Sequence, residues 1–314
     1  MANEQAVMLP QPLPVSTEPE IVPSRAPSAW SRLWKDSRSM VALGLLLFML
    51  LCAISANWLA PYPYDQQFRA HVRQGPSAAH VLGTDFLGRD MLSRVMYGAR
   101  VSLLIGISAT VLSLLIGVTL GLSSGYFGGA TDAVLMRLTD TIASFPTLLL
   151  AIAITVLYKP TPLANPGALI TNPSFWTLFI ALGMVGWTGI ARVVRAQVLT
   201  VKTLDYVTAA RALGGSNTRI MFRHILPNCL SPIIVLATLA IGGNILGEAG
   251  LSFLGLGIQE PFPSWGGMLS DSQQYFELNW WMAVFPGMAI VLTVLSFNLL
   301  GDGLRDALDP KARK

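Results

Sequence analysis

The chain has 314 residues, of which 53% are hydrophobic and 12% charged, with a formal net charge of +4. Soluble domains carry roughly 25% charged residues, so this composition excludes an ordinary soluble globular protein and makes the lipid bilayer the default solvent. The basic surplus lies beside apolar runs rather than in a basic domain interleaved with aromatics, which sets nucleic-acid binding aside.

In chain order, residues 1–29 are rich in Pro with Ser, Glu and Gln and read as a disordered tail, extended to 1–38 as a cytoplasmic N-terminal segment. The first apolar run begins near Val41, too late for a cleavable signal. A hydrocarbon core needs about 20 apolar residues in a helix, and six segments meet or approach that: 41–60, 101–125, 141–158, 175–194, 229–251 and 281–300. Backbone polar groups must be satisfied inside lipid, so these runs are expected to be helices and the fold all-α and polytopic. The division that follows is a first span at 39–60, an external connection over 61–100, a core over 101–303 with an external connection at 259–280, and a C-terminal tail from 304.

Orientation follows the Lys/Arg asymmetry. Arg25, Arg32, Lys35 and Arg38 precede span one, Arg192, Arg195, Lys202, Arg211, Arg219 and Arg223 lie between spans four and five, and Arg305, Lys311, Arg313 and Lys314 follow span six. All fall on one side if both termini are cytoplasmic. The 61–100 connection then lies outside despite its own arginines, with Asp90 spaced to pair with Arg94. Thr84 or Asp85 is expected to cap an amphipathic helix there, resting Leu92, Val95 and Met96 on the membrane surface. Gly117, Gly121 and Gly125 recur at four-residue intervals and mark a face for close helix approach. Pro146 and Pro286 predict kinks in spans three and six.

The most informative stretch is Asp205 to Pro227. Leu204, Val207, Ala210 and Leu213 follow helical spacing, with Thr203 or Asp205 as N-cap and Gly214-Gly215 as the stop. Ser216 or Asn217 is placed to cap a second short helix, in which Ile220 and Ile225 bracket Arg219, Arg223 and His224 before Pro227. Helices this short are marginal alone in water, so the pair is expected to lean on a partner.

This run resembles the EAA loop of bacterial ABC-importer permeases, Glu-Ala-Ala, three residues, Gly, nine residues, then Ile-x-Leu-Pro. Ala209, Ala210, Gly214, Leu226 and Pro227 match, whereas Thr208 stands for Glu and His224 for Ile. Three further stretches resemble the C permease of the dipeptide, oligopeptide and nickel branch: Leu82 to Arg94 leading to Gly98–Ser102, Gly247 to Gly257 continuing to Pro263–Gly266, and Phe297 to Pro310. Together they cover the chain from about residue 30 onward.

The resemblance implies a type I importer permease with six transmembrane helices in the bacterial cytoplasmic membrane. It implies a second homologous permease, two ATP-binding subunits that carry ATP and Mg, and an extracytoplasmic substrate-binding protein. It places a coupling loop at 195–227, with Asp205, Tyr206, Thr208, Ala209, Ala210, Arg211, Gly214, Arg219, Arg223, Leu226 and Pro227 at the ATPase-coupling surface. The three arginines there are candidates to meet acidic groups of the ATPase. Short peptides are the expected cargo, with nickel chelates or glutathione-like compounds as alternatives.

Read from the residues themselves, Glu248 is the one acidic side chain well inside a span, and Asn244 lies one turn earlier on the same face. The pair is the best candidate for a polar patch on the translocation path, with a structural role as the alternative. Glycines and prolines between 250 and 267 predict irregular backbone, a re-entrant or folded plug by the outer mouth, and Trp265, Tyr275, Phe276, Trp280 and Trp281 read most simply as an interfacial belt, with contact of a subset to a docked binding protein as the alternative. Cys52 and Cys229 read as small core residues. The chain contains no phosphate loop, no His-Glu-x-x-His pair and no nucleophile elbow, and its three histidines are scattered, so a catalytic role, a resident cofactor and a metal are not expected. A secondary transporter or channel, the rival from another class, predicts intramembrane charge or inverted repeats that the sequence does not display. A membrane-embedded hydrolase would need paired catalytic groups at depth.

Overall fold

Helix α1 (Ala29–Lys35) leads through Asp36 into α2 (Ser37–Leu59), the first crossing. Asp36 caps α2 by accepting from the backbone N–H groups of Arg38 and Ser39 at 3.3 and 3.1 Å, which satisfies two donors the helix leaves unpaired. The computed structural model describes residues 29–158, 169 and 172–308. Residues 29–38, assigned to the tail from sequence, are therefore helical apart from this cap, while the expected disorder of 1–28 lies outside the described residues, as does 309–314.

The remaining long helices are α3 (Met91–Phe127), α6 (Pro173–Val201), α9 (Leu226–Phe253) and α11 (Trp281–Leu308), with α4 (Gly129–Ala143) and α5 (Thr147–Leu157) between α3 and α6. Short helices α7 (Asp205–Ala212) and α8 (Asn217–Ile220) precede α9, and α10 (Trp265–Ser272) lies between α9 and α11. Among the described residues five helices are long and apolar enough to cross a membrane, and α4 with α5 makes a sixth crossing if that bent pair is one span. No strand occurs among them, only an isolated bridge between Thr84 and Asp90.

The glycine face of span two does what its spacing predicts. A Cβ on Gly117 would fall 2.8 Å from Ile190, one on Gly121 2.5 Å from the Ala191 carbonyl, and one on Gly125 2.7 Å from Val198. Because 117–125 meets 187–198 in rising order, α3 and α6 run parallel in close backbone contact. Lipid offers no net hydrophobic drive between helices, so this contact is held by dispersion across a face without side chains. Helix α9 runs antiparallel to α3, with Ile245 over Gly106, and α11 packs antiparallel on α2, with Gly303 against Ser39. Cys229 is buried in the core and Cys52 is half-buried, both free thiols.

Several expectations are corrected. Span two starts ten residues early, at Met91, and the surface helix expected after Thr84 does not form. Asp90 is the true cap, accepting from the Ser93 backbone N–H at 2.8 Å, and Leu92, Val95 and Met96 belong to the first turns of α3 with Met96 buried. Pro146 does not kink a continuous helix; it sits at the N-cap of α5, and the chain turns by 86° between α4 and α5. Pro286 lies inside α11, as its place in span six predicts. Spans four, five and six all extend beyond their apolar runs, to Pro173–Val201, Leu226–Phe253 and Trp281–Leu308.

The connections 61–100 and 259–280 also differ from the sequence reading. Asp90 pairs with His80, 2.9 Å away, rather than with Arg94, and His80 in turn meets His71 at 3.1 Å, so two histidines read as scattered are neighbours. Arg89 joins Asp85 and Glu260, each at 2.6 Å, while Arg94 approaches Asp85 and Asp271 at 3.6 and 3.7 Å. Trp265 and Trp281 are core rather than belt: their indole N–H groups donate to the Val95 and Thr84 carbonyls at 3.0 and 3.1 Å. Tyr275 stacks between Phe86 and Arg73, leaving Phe276 and Trp280 as the exposed members of the set.

Candidate coupling surface and transmembrane path

Helix α7 is two turns long, with Asp205 in its first turn and Arg211 in its last, each matched to the helix dipole. Leu204 occupies the N-cap position without a side-chain cap, so neither Thr203 nor Asp205 serves there. The helix does not survive on propensity; it survives because Val207 is fully buried among Tyr126, Val198, Val201, Ile220 and Ile225. Ala210 is half-buried at the edge of the same cluster. The predicted apolar stripe is thus split: Leu204 and Leu213 face outward, Leu213 with 88% of its surface exposed.

The stop is as expected. Gly214 has φ +79°, a conformation that costs an L side chain, and the Gly215 N–H returns to the Ala210 carbonyl at 3.1 Å. Ser216 caps α8, its hydroxyl accepting from the Arg219 backbone N–H. Helix α8 does not end at Pro227. Residues Met221–Ile225 form a π-turn that carries the chain straight into α9, with Pro227 in its first turn where a missing donor costs least.

The predicted coupling residues therefore fall into two sets. Asp205, Tyr206, Thr208, Ala209, Gly214, Arg219, Arg223 and Pro227 are exposed, and Ala210 and Leu226 help to seat the loop on the core. Thr208, at the family's Glu position, turns its hydroxyl back to the Asp205 carbonyl at 2.8 Å. Arg211 is not free for an external acid alone, since its guanidinium lies over the Tyr126 ring at 5.5 Å. The Tyr126 hydroxyl donates to Asn217 Oδ1 at 2.8 Å, and Lys202 Nζ donates to the Gly125 carbonyl at 2.7 Å. The end of α3 thus holds both short helices.

Asn244 and Glu248 lie together on α9, as their spacing predicts, and both turn toward α3. Asn244 Nδ2 donates to Thr110 Oγ1 at 2.9 Å, while Glu248 accepts from Ser102 and Ser252 at 3.1 and 2.6 Å. Beside them runs a cavity of about 660 Å³ with nearly apolar walls. It is lined from α9 by Gly243, Leu246, Gly247 and Gly250 rather than by either polar residue. Among the described residues no cluster of three metal-ligating side chains occurs.

Residues 117–314 match the family described as the binding-protein-dependent transport system inner membrane component, and residues 24–76 match the N-terminal transmembrane domain of oligopeptide transport permease C. The chain belongs to this family of ABC-importer permeases. Similar relatives include the di/tripeptide transport system permease protein DppC of Pseudomonas aeruginosa, 45% identical over 91% of this chain and 94% of that one. The dipeptide permease DppC of Alkalihalophilus pseudofirmus is 43% identical over the full length of both chains, and the glutathione transport system permease GsiD of Pectobacterium atrosepticum is 41% identical over 95% and 97%. A crystal structure of an amino acid ABC transporter with histidines shares the fold, with a TM-score of 0.50 and 17% identity over 68% of this chain and 94% of that one.

In this permease the sequence reading missed the contacts of Tyr126 and Lys202, which hold the loop from outside the Asp205–Pro227 stretch, the bond that Tyr126 makes to Asn217, read only as a possible cap, and Phe222, exposed by 58% beside it. A signal existed for Phe222 alone: an aromatic residue in an otherwise basic turn has no core to fill on that side. The others are long-range contacts with no local periodicity to announce them.

Proposed function

We propose that this permease is one membrane subunit of an ATP-driven importer of short peptides. The observation that carries the reading is a surface: Leu204, Tyr206, Leu213 and Phe222 stand exposed beside a backbone that is locked from beneath by Val207. Exposed apolar side chains on a rigid seat, rimmed by Arg219 and Arg223, suit a protein partner better than water. The partner is an ATP-binding subunit, one of two, which carry ATP and Mg. A second, homologous permease completes the path, and an extracytoplasmic binding protein delivers cargo. The Lys/Arg asymmetry supports an orientation in which both termini and the coupling loop are cytoplasmic. Coupling demands contacts that differ between nucleotide states, since a ligand with no differential affinity shifts no equilibrium.

Peptide cargo is supported by the names of the dipeptide and di/tripeptide relatives, and the glutathione relative favours a second reading of the same machinery. Both are tested by reconstituting the complex in proteoliposomes and measuring ATPase stimulation by the binding protein loaded with dipeptide, tripeptide or glutathione. Dipeptide stimulation that Gly214→Glu or Leu213→Asp abolishes, with assembly of the permease pair intact, is the expected result. Stimulation by glutathione alone replaces the cargo, and stimulation indifferent to both substitutions removes the coupling role from this loop.

A further inference from the structure

Glu248 is wholly enclosed, 0% exposed, in the far half of α9, and each hydroxyl that donates to it has a second task. Ser102 Oγ of α3, donating to Glu248 Oε2 at 3.1 Å, also accepts the backbone N–H of Trp265 at 3.3 Å. Ser252 Oγ, donating to Oε1 at 2.6 Å, lies 3.5 Å from Ser264 Oγ, which caps α10 by accepting from the Gly267 N–H at 3.1 Å. The carboxyl group therefore reaches the first turn of α10 by two separate routes, through one hydroxyl to the Trp265 N–H and through two, Ser252 and Ser264, to the Gly267 N–H. Backbone follows at close range: a Cβ on Gly266 would fall 2.5 Å from the Ala249 Cα. Helix α10 in turn supplies Leu269 to the lining of the apolar cavity, which it shares with Gly243, Gly247 and Gly250 of α9.

We infer that Glu248 is the positioning residue of the outer closure: it fixes α10 against α3 and α9, and so sets where Leu269 stands, without itself touching cargo. Breaking the bonds of a fully buried carboxyl group to two hydroxyl partners leaves buried polar atoms unpaired, which is costly, so these three helices hold together there. The solvent-side tie of the same connection is different in kind. Arg89 is buried, but its partner Glu260 is 55% exposed, and Asp271 lies 3.9 and 3.7 Å from Arg89 and Arg94, too far to hydrogen-bond either. That tie is screened and exchangeable, whereas the Glu248 node is not. The inference depends on the transport reading for its purpose and on geometry alone for its first test.

The test uses the assembled complex in nanodiscs, with Cys52→Ser in this chain and Ile258→Cys as reporter, since Ile258 is buried in the connection. Native Cys229, buried at the coupling end of α9, reports on the fold as a whole. Glu248→Leu is expected to raise the rate of maleimide labelling at Ile258→Cys by about tenfold or more, Glu248→Gln by less because its amide oxygen keeps one acceptor, with Cys229 protected in both. In peptide uptake, Glu248→Gln is expected to lower the maximal rate and leave KM and cargo preference unchanged. Protection of Ile258→Cys in a folded Glu248→Leu protein overturns the inference, as does a change in KM or preference, which would put Glu248 in contact with cargo. If Glu248→Leu also unmasks Cys229, the double substitution Ser102→Ala, Ser264→Ala decides by the same two outcomes. Absence of peptide uptake by the parent complex sinks the transport reading and leaves the labelling result standing.

Discussion

Two glycines of this permease carry opposite reasons for being glycine. Gly121 has the Ala191 carbonyl 2.5 Å from where its Cβ would be, whereas Gly214 has open space around it and a φ of +79°. Gly121→Ala should therefore force α3 and α6 apart, at about 1–3 kcal/mol as for overpacked cores. Gly214→Ala meets only the left-handed backbone cost, roughly 1–2 kcal/mol, confined to the coupling loop. Thermal unfolding of the purified chain reads the first, and hydrogen exchange across 205–220 reads the second. Asp271 gives a pH signature outside the spans: burial pushes its carboxyl up from the usual range to about 6, against the pull of Arg94 and Arg89. A carboxyl whose folded pKa is raised holds its proton better when folded, so its contribution favours the fold at low pH and is lost as pH rises from about 4 through 6. Melting the parent and Asp271→Asn across that window should show the parent losing ground to the variant as pH rises.

At the scale of elements, the coupling helices are held by the end of α3 rather than by their own sequence. Tyr126 both donates to Asn217 and lies beneath Arg211. Tyr126→Phe keeps the ring and loses one hydrogen bond, about 1 kcal/mol, so exchange of the α8 amides should quicken modestly. Tyr126→Ala removes the ring from the cluster around Val207 as well and should release α7 and α8 together, by about 3–5 kcal/mol for a buried aromatic. If both variants protect 205–220 as the parent does, the loop is held by Val207 without α3. The π-turn at Met221–Ile225 belongs to the same scale: it gives Pro227 a place in a continuous helix and makes the coupling segment and α9 one rod.

Across the whole molecule, the exposed apolar surfaces divide the stability of the chain from the stability of its complex. Leu213→Asp changes a side chain that touches almost nothing within the chain, so its melting temperature by itself should stay within the small range of surface substitutions, about 0.5 kcal/mol. If the proposed docking to ATP-binding subunits holds, their co-purification should fall sharply, because a charge would replace an apolar contact there. Equal losses in both measurements would mean that Leu213 serves the fold. The Gly-lined cavity beside α9 and the Glu248 node behind it give the far half of the molecule a similar division, one face open and the other sealed.

The sequence by itself determined the membrane class, the approximate place of six apolar runs, the glycine face of α3 and the stop at Gly214-Gly215, because each is written in local composition or in a helical period. It also placed Asn244 and Glu248 on one face, since four residues make one turn. Tertiary structure alone decided which way that face turns, and it turned both residues to α3 rather than to the cavity. It likewise made Asp90 the cap of α3, paired Arg89 across 171 positions with Glu260, buried Trp265 and Trp281, and divided the stripe of α7 into a seated Val207 and an exposed Leu213. Periodicity specifies a face but not its neighbour; in a bilayer, where lipid is as apolar as the core, burial by protein or by lipid reads the same in the sequence and only packing separates them.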